Sequence, residues 1–229
     1  MGILAVLDVK FVIEPRLSEF VADILPAARI EKTFLPNQTG LALYLLNADY
    51  PQQGLTQSQM LRLMDEPFYW GFCWASGLVL SQYLLDNPEW VRGKRVVDFG
   101  CGSGVAALAA LKAGAREVVA CDIDPMAKYA TLKNAELNSL TLSFSDDFQV
   151  IEGHVDIILV ADVLYDKANL PWLASFVARA DQVIVADSRV KNFDFPPYQQ
   201  IARYEGCTIP DLDESQEFRD VRLYLASSI

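Results

Sequence analysis

Residues 96–104 read Val-Val-Asp-Phe-Gly-Cys-Gly-Ser-Gly, three glycines at alternating positions between a β-branched run and the Ala/Leu-rich segment 105–112. An apolar strand that meets glycines and then a helix former must turn tightly. Glycine does this without a Cβ to obstruct either the chain or a ligand approaching the backbone. The pattern describes a strand–loop–helix unit, and its surroundings repeat it. Strands are expected at 95–99, 117–121, 156–161 and 182–186, with a weaker one at 140–144 and late ones at 203–207 and 219–225. Helices are expected between them at 78–85, 105–112, 125–138 and 170–180, with Pro125 opening one of them and Pro196-Pro197 interrupting the pattern later. Strands separated by helices imply βαβ crossovers, a parallel sheet and ligands at the strands' carboxyl ends.

The first 66 residues read differently. A helix is expected at 17–25, between Pro15 and Pro26, and a short strand at 41–46. Thr56 and Gln59 form a capping-box signature ahead of an amphipathic turn whose Met60, Leu61 and Met64 are expected to enter the core. The division expected is an accessory extension over 1–66 and a larger domain over 67–229. Nothing in the apolar run Ile3 to Leu7 has the length of a signal core or a membrane span, and position 6 is Val, where a myristoylation signal requires Ser or Thr. Cys73, Cys101, Cys121 and Cys207 form no CxxC pair, so they are expected as reduced thiols of a cytoplasmic protein. His154 is the only histidine, which excludes a multi-histidine metal site; it falls beside Gly153 in an expected loop, and no metal is expected.

A glycine loop could hold a dinucleotide as well as other nucleosides, and Gly102 to Ala107 satisfies G-x-G-x-x-A. Asp98 argues otherwise. Two residues before the first glycine, it is expected to face whatever the loop cradles. A carboxylate there repels a pyrophosphate by about 1 to 4 kcal/mol at contact distance but favours the ammonium and sulfonium of S-adenosylmethionine. Asp122, ending the next strand, has the spacing of a ribose-binding carboxylate, with Ile123 able to pack on adenine. Asp124 before Pro125 is better placed as a helix N-cap. Asp147 and Phe148 offer either an acceptor and an aromatic wall for adenine or a solvated turn.

Taken together, D-F-G-C-G-S-G, A-C-D-I-D-P-M-A with N-A-E-L-N, and V-A-D-V-L-Y-D resemble the class I (seven-β-strand) S-adenosylmethionine-dependent methyltransferases. Asp162-Val163-Leu164-Tyr165 is similar to the D-x-x-Y signature of their protein-lysine branch. The stretch 68–84, Phe-Tyr-Trp-Gly-Phe-Cys-Trp-Ala-Ser-Gly onward, looks most like the electron-transfer-flavoprotein β-subunit lysine methyltransferases and their bacterial relatives. The resemblance spans 67–172. It implies a Rossmann-like three-layer α/β sandwich, with a mostly parallel seven-stranded sheet whose last strand is antiparallel, plus a small N-terminal α+β extension. It also implies that Asp98, Gly100, Gly102 and Gly104 cradle the donor's methionine part and that Asp122 binds its ribose. Asp147 and Phe148 border adenine, Trp74 closes the donor site, and Asp162 and Tyr165 face the acceptor. The chain departs from the family at Trp74-Ala75-Ser76-Gly77, where relatives usually carry Trp-Pro-Gly-Gly.

The function expected is therefore an S-adenosylmethionine-dependent N-methyltransferase acting on a protein lysine. Alternatives are a small-amine methyltransferase on the same scaffold, a donor-binding but silent partner, and an NAD-binding oxidoreductase with His154 or Tyr165 as proton donor. Nucleic acid is disfavoured as a partner by a net charge of −11, from 30 acidic against 19 basic side chains, and by the lack of an N-P-P-Y or D-P-P-Y tetrad. No membrane association is expected, and the sequence leaves oligomeric state open.

Overall fold

The computed structural model describes residues 12–36, 39–50, 55–190, 193–211 and 214–227. The apolar run Ile3 to Leu7 and the myristoylation position lie outside them. The amino-terminal part holds α1 (Pro15–Ile24), β1 (Ile30–Phe34), β2 (Ala42–Leu46) and α2 (Gln57–Asp65). There follow α3 (Ala75–Asp86), β3 (Arg95–Phe99), α4 (Val105–Lys112), β4 (Glu117–Cys121), α5 (Pro125–Leu137) and β5 (Ser143–Ser145). The chain closes with β6 (Val155–Ala161), α6 (Trp172–Arg179), β7 (Ala180–Asp187), β8 (Gln199–Glu205) and β9 (Asp220–Ser227).

Seven strands form one sheet in the order β5-β4-β3-β6-β7-β9-β8, with β3 to β7 parallel and β9 antiparallel to both its neighbours. This is the Rossmann-like sandwich expected. Alternating side chains on each central strand serve opposite faces, as the two-residue period of a strand requires. Val96, Ile157, Leu159 and Ile184 pack against α3 and α4, while Val97, Ile158, Val160 and Val185 pack against Phe176 of α6. Both faces being covered explains why β6 is apolar from Ile157 to Ala161. Because β3 is central and the chain builds outward to β5 before crossing back to β6, the carboxyl ends of β3 and β6 form the topological switch point.

The amino-terminal hairpin forms a separate two-stranded sheet laid over the helices. Leu43 and Leu45 of β2 join a cluster with Leu78, Val105 and Leu108, while Leu46 and Trp70 share another with Ala127 and Ala130 of α5. Asn134 on α5 and the helix's C-cap Asn138, one helical turn apart, complete the contact. Asn134 Oδ1 accepts the Tyr44 N–H at 2.7 Å, and Asn138 accepts the Ala42 N–H at 3.0 Å and donates to the Ala42 carbonyl at 2.6 Å. These amides take the place of a missing neighbour strand for β2.

Several expectations are corrected. Strand β1 was not foreseen; its Glu31, Lys32 and Thr33 give no apolar run, and it forms by pairing with β2. Helix α3 starts at Ala75 rather than 78, and the helix expected over 170–180 is confined to Trp172–Arg179 behind a short turn at Lys167–Asn169. The strand expected at 140–144 shrinks to Ser143–Ser145, and that at 203–207 lies earlier, at Gln199–Glu205. The Thr56–Gln59 capping box forms, but α2 buries no residue: Met60, Leu61 and Met64 are exposed, because the helix packs only lightly beside α1.

Candidate functional site

Three loops meet at the carboxyl edge of the sheet. Residues 100–104 leave β3, 122–124 leave β4 and 162–165 leave β6. Gly100, Gly102 and Gly104 all have positive φ, at 67°, 51° and 79°, the left-handed region in which a side chain is strained. Their surroundings separate their roles. A Cβ on Gly100 would lie 2.6 Å from Val163 and one on Gly104 2.8 Å from Thr131, whereas one on Gly102 would meet nothing within 4 Å. Gly100 and Gly104 are thus demanded by packing, and Gly102 alone presents bare backbone to open space.

The two aspartates flanking the loop behave differently. Asp98 is buried, and its carboxylate accepts the Ala107 N–H at 3.0 Å, in the first turn of α4, where Gly104 as N-cap has no side chain to offer. The expectation that it faces the cradle is corrected to a position beneath it. Burial pushes this carboxyl up to about 7, against the opposing pull of that N–H. Asp122 reaches the open side: half-buried, it accepts the Gly102 N–H at 2.9 Å and the Asp124 N–H at 3.0 Å. Ile123 beside it is 88% exposed, a large apolar side chain standing free next to a polar cradle. Asp124 caps α5 through the Met126 N–H at 2.7 Å, as expected.

Asp147 is exposed and caps the turn at Phe148–Val150, accepting the Gln149 N–H at 2.8 Å. The Phe148 ring is buried and packs edge-on against Phe99, Trp172 and Phe176. The ring therefore belongs to the aromatic core cluster on this face of the sheet.

Asp162 follows β6 with φ of 51°, a left-handed conformation that few residues other than glycine adopt. Its carboxylate accepts the Ser76 N–H at 2.9 Å on Oδ2 and the Ser76 hydroxyl at 2.6 Å on Oδ1, with the Ser188 hydroxyl 3.5 Å away. It thereby caps α3, whose own N-cap, Trp74, offers no capping side chain. Burial raises this carboxyl to about 6, opposed by the Ser76 bonds and by Arg189. Tyr165 is exposed and pushed up to about 12 by desolvation, so its hydroxyl stays protonated at neutral pH. Its ring lies 5.7 Å from that of Tyr69, which in turn lies 5.9 Å from Trp74. The Trp74 indole N–H donates to the Tyr69 carbonyl at 2.9 Å, and the Arg189 guanidinium sits 6.0 Å from its ring. The structure thus brings Trp74, Asp162 and Tyr165 together and adds Tyr69, Ser76, Ser188 and Arg189. Sequence reading missed these four as site residues. Only Ser76 left a trace, as the unusual residue after Trp74-Ala75.

His154 lies in the expected loop at the opposite, amino-terminal edge of the sheet, where its Nε2 is 3.0 Å from Asp181 and 3.3 Å from Asp156. Asp156 also faces Arg116 at 3.5 Å, and Arg95 donates to the His154 carbonyl, so the group is a polar cluster tying β6 to β7. Its place removes His154 as a proton donor at the cradle.

A Rossmann-like sheet with a glycine cradle at its switch point and acidic rather than basic side chains around that cradle suits a nucleoside ligand that carries positive charge. Residues 79–183, somewhat under half of the chain, match the family described as ribosomal protein L11 methyltransferase (PrmA). The chain is 39% identical over 159 residues to the electron transfer flavoprotein beta subunit lysine methyltransferase of Danio rerio, aligning 66% of this chain with 62% of that one. It is 36% identical over 152 residues to the Rattus norvegicus protein of the same name, aligning 62% of this chain with 60% of that one. The match thus spans about three fifths of these relatives' length. The fold is shared with magnesium protoporphyrin IX methyltransferase (ChlM) from Synechocystis PCC 6803, solved with bound SAM. That likeness has a TM-score of 0.50 and 16% identity, covering 79% of this chain and 88% of that one.

Proposed function

We propose that the chain is an S-adenosylmethionine-dependent N-methyltransferase whose acceptor is a lysine side chain of a protein, in a cytoplasmic setting. The observation that carries this reading is the placement of Asp162, held in a left-handed conformation at the end of β6 beside the glycine cradle. The names of the relatives, which describe protein methylation, support it.

The residues fit the donor by charge and by space. Gly102 leaves room for a ligand against the backbone, Asp122 offers a carboxylate to ribose hydroxyls, and the free face of Ile123 suits adenine. Asp98 lies just below the loop, where its negative form favours a cationic ligand above. When bound, the donor supplies a methyl group activated on a sulfonium. The protein's part is to align and desolvate an amine for in-line displacement. Asp162, largely ionised above pH 6, holds the acceptor ammonium and orients it as its proton leaves to solvent. Tyr165 and Tyr69 give exposed aromatic walls that suit the alkyl stem and cationic head of lysine. Trp74 closes the donor side, with Asp147 and Phe148 bordering adenine. The extension over 1–66 helps to present the protein acceptor.

Isothermal titration with S-adenosylmethionine and its demethylated product tests the donor, and the absence of heat at high micromolar ligand overturns it. Tritiated donor incubated with lysate should label a protein band, and Asp162→Asn should remove the label while leaving donor binding intact. Label confined to a small molecule refutes the protein acceptor, and heat from NAD in place of the methyl donor refutes the reaction class.

A further inference from the structure

We infer that Ser76 is a positioning residue whose hydroxyl, together with its backbone N–H, grips Asp162 from the first turn of α3 and sets the orientation in which that carboxylate meets the acceptor amine. The inference rests on the catalytic reading of Asp162 given above. Ser76 is completely buried, and its two donors reach different oxygens of one carboxylate, N–H to Oδ2 at 2.9 Å and hydroxyl to Oδ1 at 2.6 Å. Two bonds to two oxygens fix rotation of the carboxylate, as one bond cannot. The N–H is available from any residue but proline at this position; the hydroxyl is what serine adds. At 2.6 Å it is a short, charge-assisted bond that favours the ionised carboxylate and opposes the cost of its burial.

The other groups facing Asp162 do not duplicate this grip. At the end of β7, Asp187 disfavours its charge and Arg189 favours it, while Ser188 stands at 3.5 Å and the Cys73 thiol precedes α3. A carboxylate offers about four lone-pair sites, and Ser76 occupies two, which leaves acceptor capacity for an ammonium. Without the hydroxyl, Asp162 keeps its helix N–H but turns and takes up a proton more readily.

The test is Ser76→Ala, which retains the N–H and nearly the same volume. The acid limb of the methyl-transfer pH–rate profile should move up by about one pH unit, with kcat below that limb reduced about tenfold and donor affinity unchanged. Ser76→Thr should restore the limb. In parallel, the Asp162 carboxyl ¹³C resonance is assigned by its loss in Asp162→Asn, and its titration midpoint should rise in Ser76→Ala. Should Ser76→Ala fold poorly, Ser76→Gly gives the same readouts without adding bulk to the helix start. An unmoved Asp162 midpoint overturns the grip itself, whatever the activity. A midpoint that moves while the pH–rate profile stays fixed shows that Asp162 is not the carboxylate handling the acceptor, which overturns its catalytic reading and with it the role of Ser76.

Discussion

Asp98 and Asp162 perform the same mechanical task at neighbouring strand ends, each capping a helix whose own N-cap residue cannot. Their burial gives that task a pH signature. Asp98 titrates at about 7 in the fold against an ordinary 3.8, so folding favours its protonated form. The stability it contributes is fully present below about pH 4 and is lost as pH rises through about 7. Asp98→Asn should therefore flatten the fall in Tm between those limits and melt higher than the parent at pH 8, as differential scanning calorimetry would record. A bound cationic donor should pull the same carboxyl toward ionisation, so donor affinity should rise from pH 6 to 8 with proton release detectable by titration in buffers of different ionisation enthalpy. The glycines divide in the same physical terms. Gly104→Ala must place a Cβ 2.8 Å from Thr131 at φ 79°, and strain plus overpacking should cost about 2–4 kcal/mol in denaturant unfolding. Gly102→Ala meets no neighbour. It should cost only about 1–2 kcal/mol of backbone strain, yet weaken donor binding by roughly tenfold, because its Cβ fills the approach to the loop. Equal stability losses for the two would refute the division.

At the scale of elements, α5 shows how much a helix can do for a strand that has lost a neighbour. Asn134 bonds both Tyr44 of β2 and the Ser103 carbonyl of the glycine loop, while Asn138 bonds both backbone groups of Ala42. Asn138→Ala orphans buried backbone groups and should cost about 2–3 kcal/mol, read as a Tm lower by roughly 2–4 °C per kcal/mol for a chain of this size. Asn134→Ala should cost as much and also weaken donor binding, because the loop carbonyl loses its anchor. Of these elements, those with strong local signals were legible beforehand. The strands β3, β4, β6 and β7 are runs of β-branched residues, and the α5 cap and the α2 capping box declare themselves within four residues. Strand β1, with Glu31, Lys32 and Thr33 at its centre, was not legible, since pairing with β2 decides its conformation. Nor was the exposure of Met60, Leu61 and Met64, because amphipathic spacing fixes which side chains share a face and not whether another element covers it.

Across the whole molecule, the charge of −11 favours a cationic acceptor and repels phosphate backbones. Raising salt from about 0.05 to about 0.5 M should then lower kcat/KM for a protein acceptor by roughly tenfold through screened encounter, with little change in kcat. A rate indifferent to salt would remove charge steering from the account. Helices of the size needed to cross a membrane do not occur among the described residues. By itself the sequence determined the strand–glycine–helix unit, the α/β class and the carboxylates that can flank a nucleoside, because those properties depend on residues adjacent along the chain and on the period of apolar side chains. Only the tertiary structure decided that Asp98 lies beneath the loop, that Gly102 faces open space and that His154 stands at the far edge of the sheet. It also decided that Ser76 reaches Asp162 across 86 positions. The physical reason is the crossover that sets β6 beside β3. It brings distant segments to one sheet edge, and contacts made there depend on packing in space, of which a local run of residues holds no record.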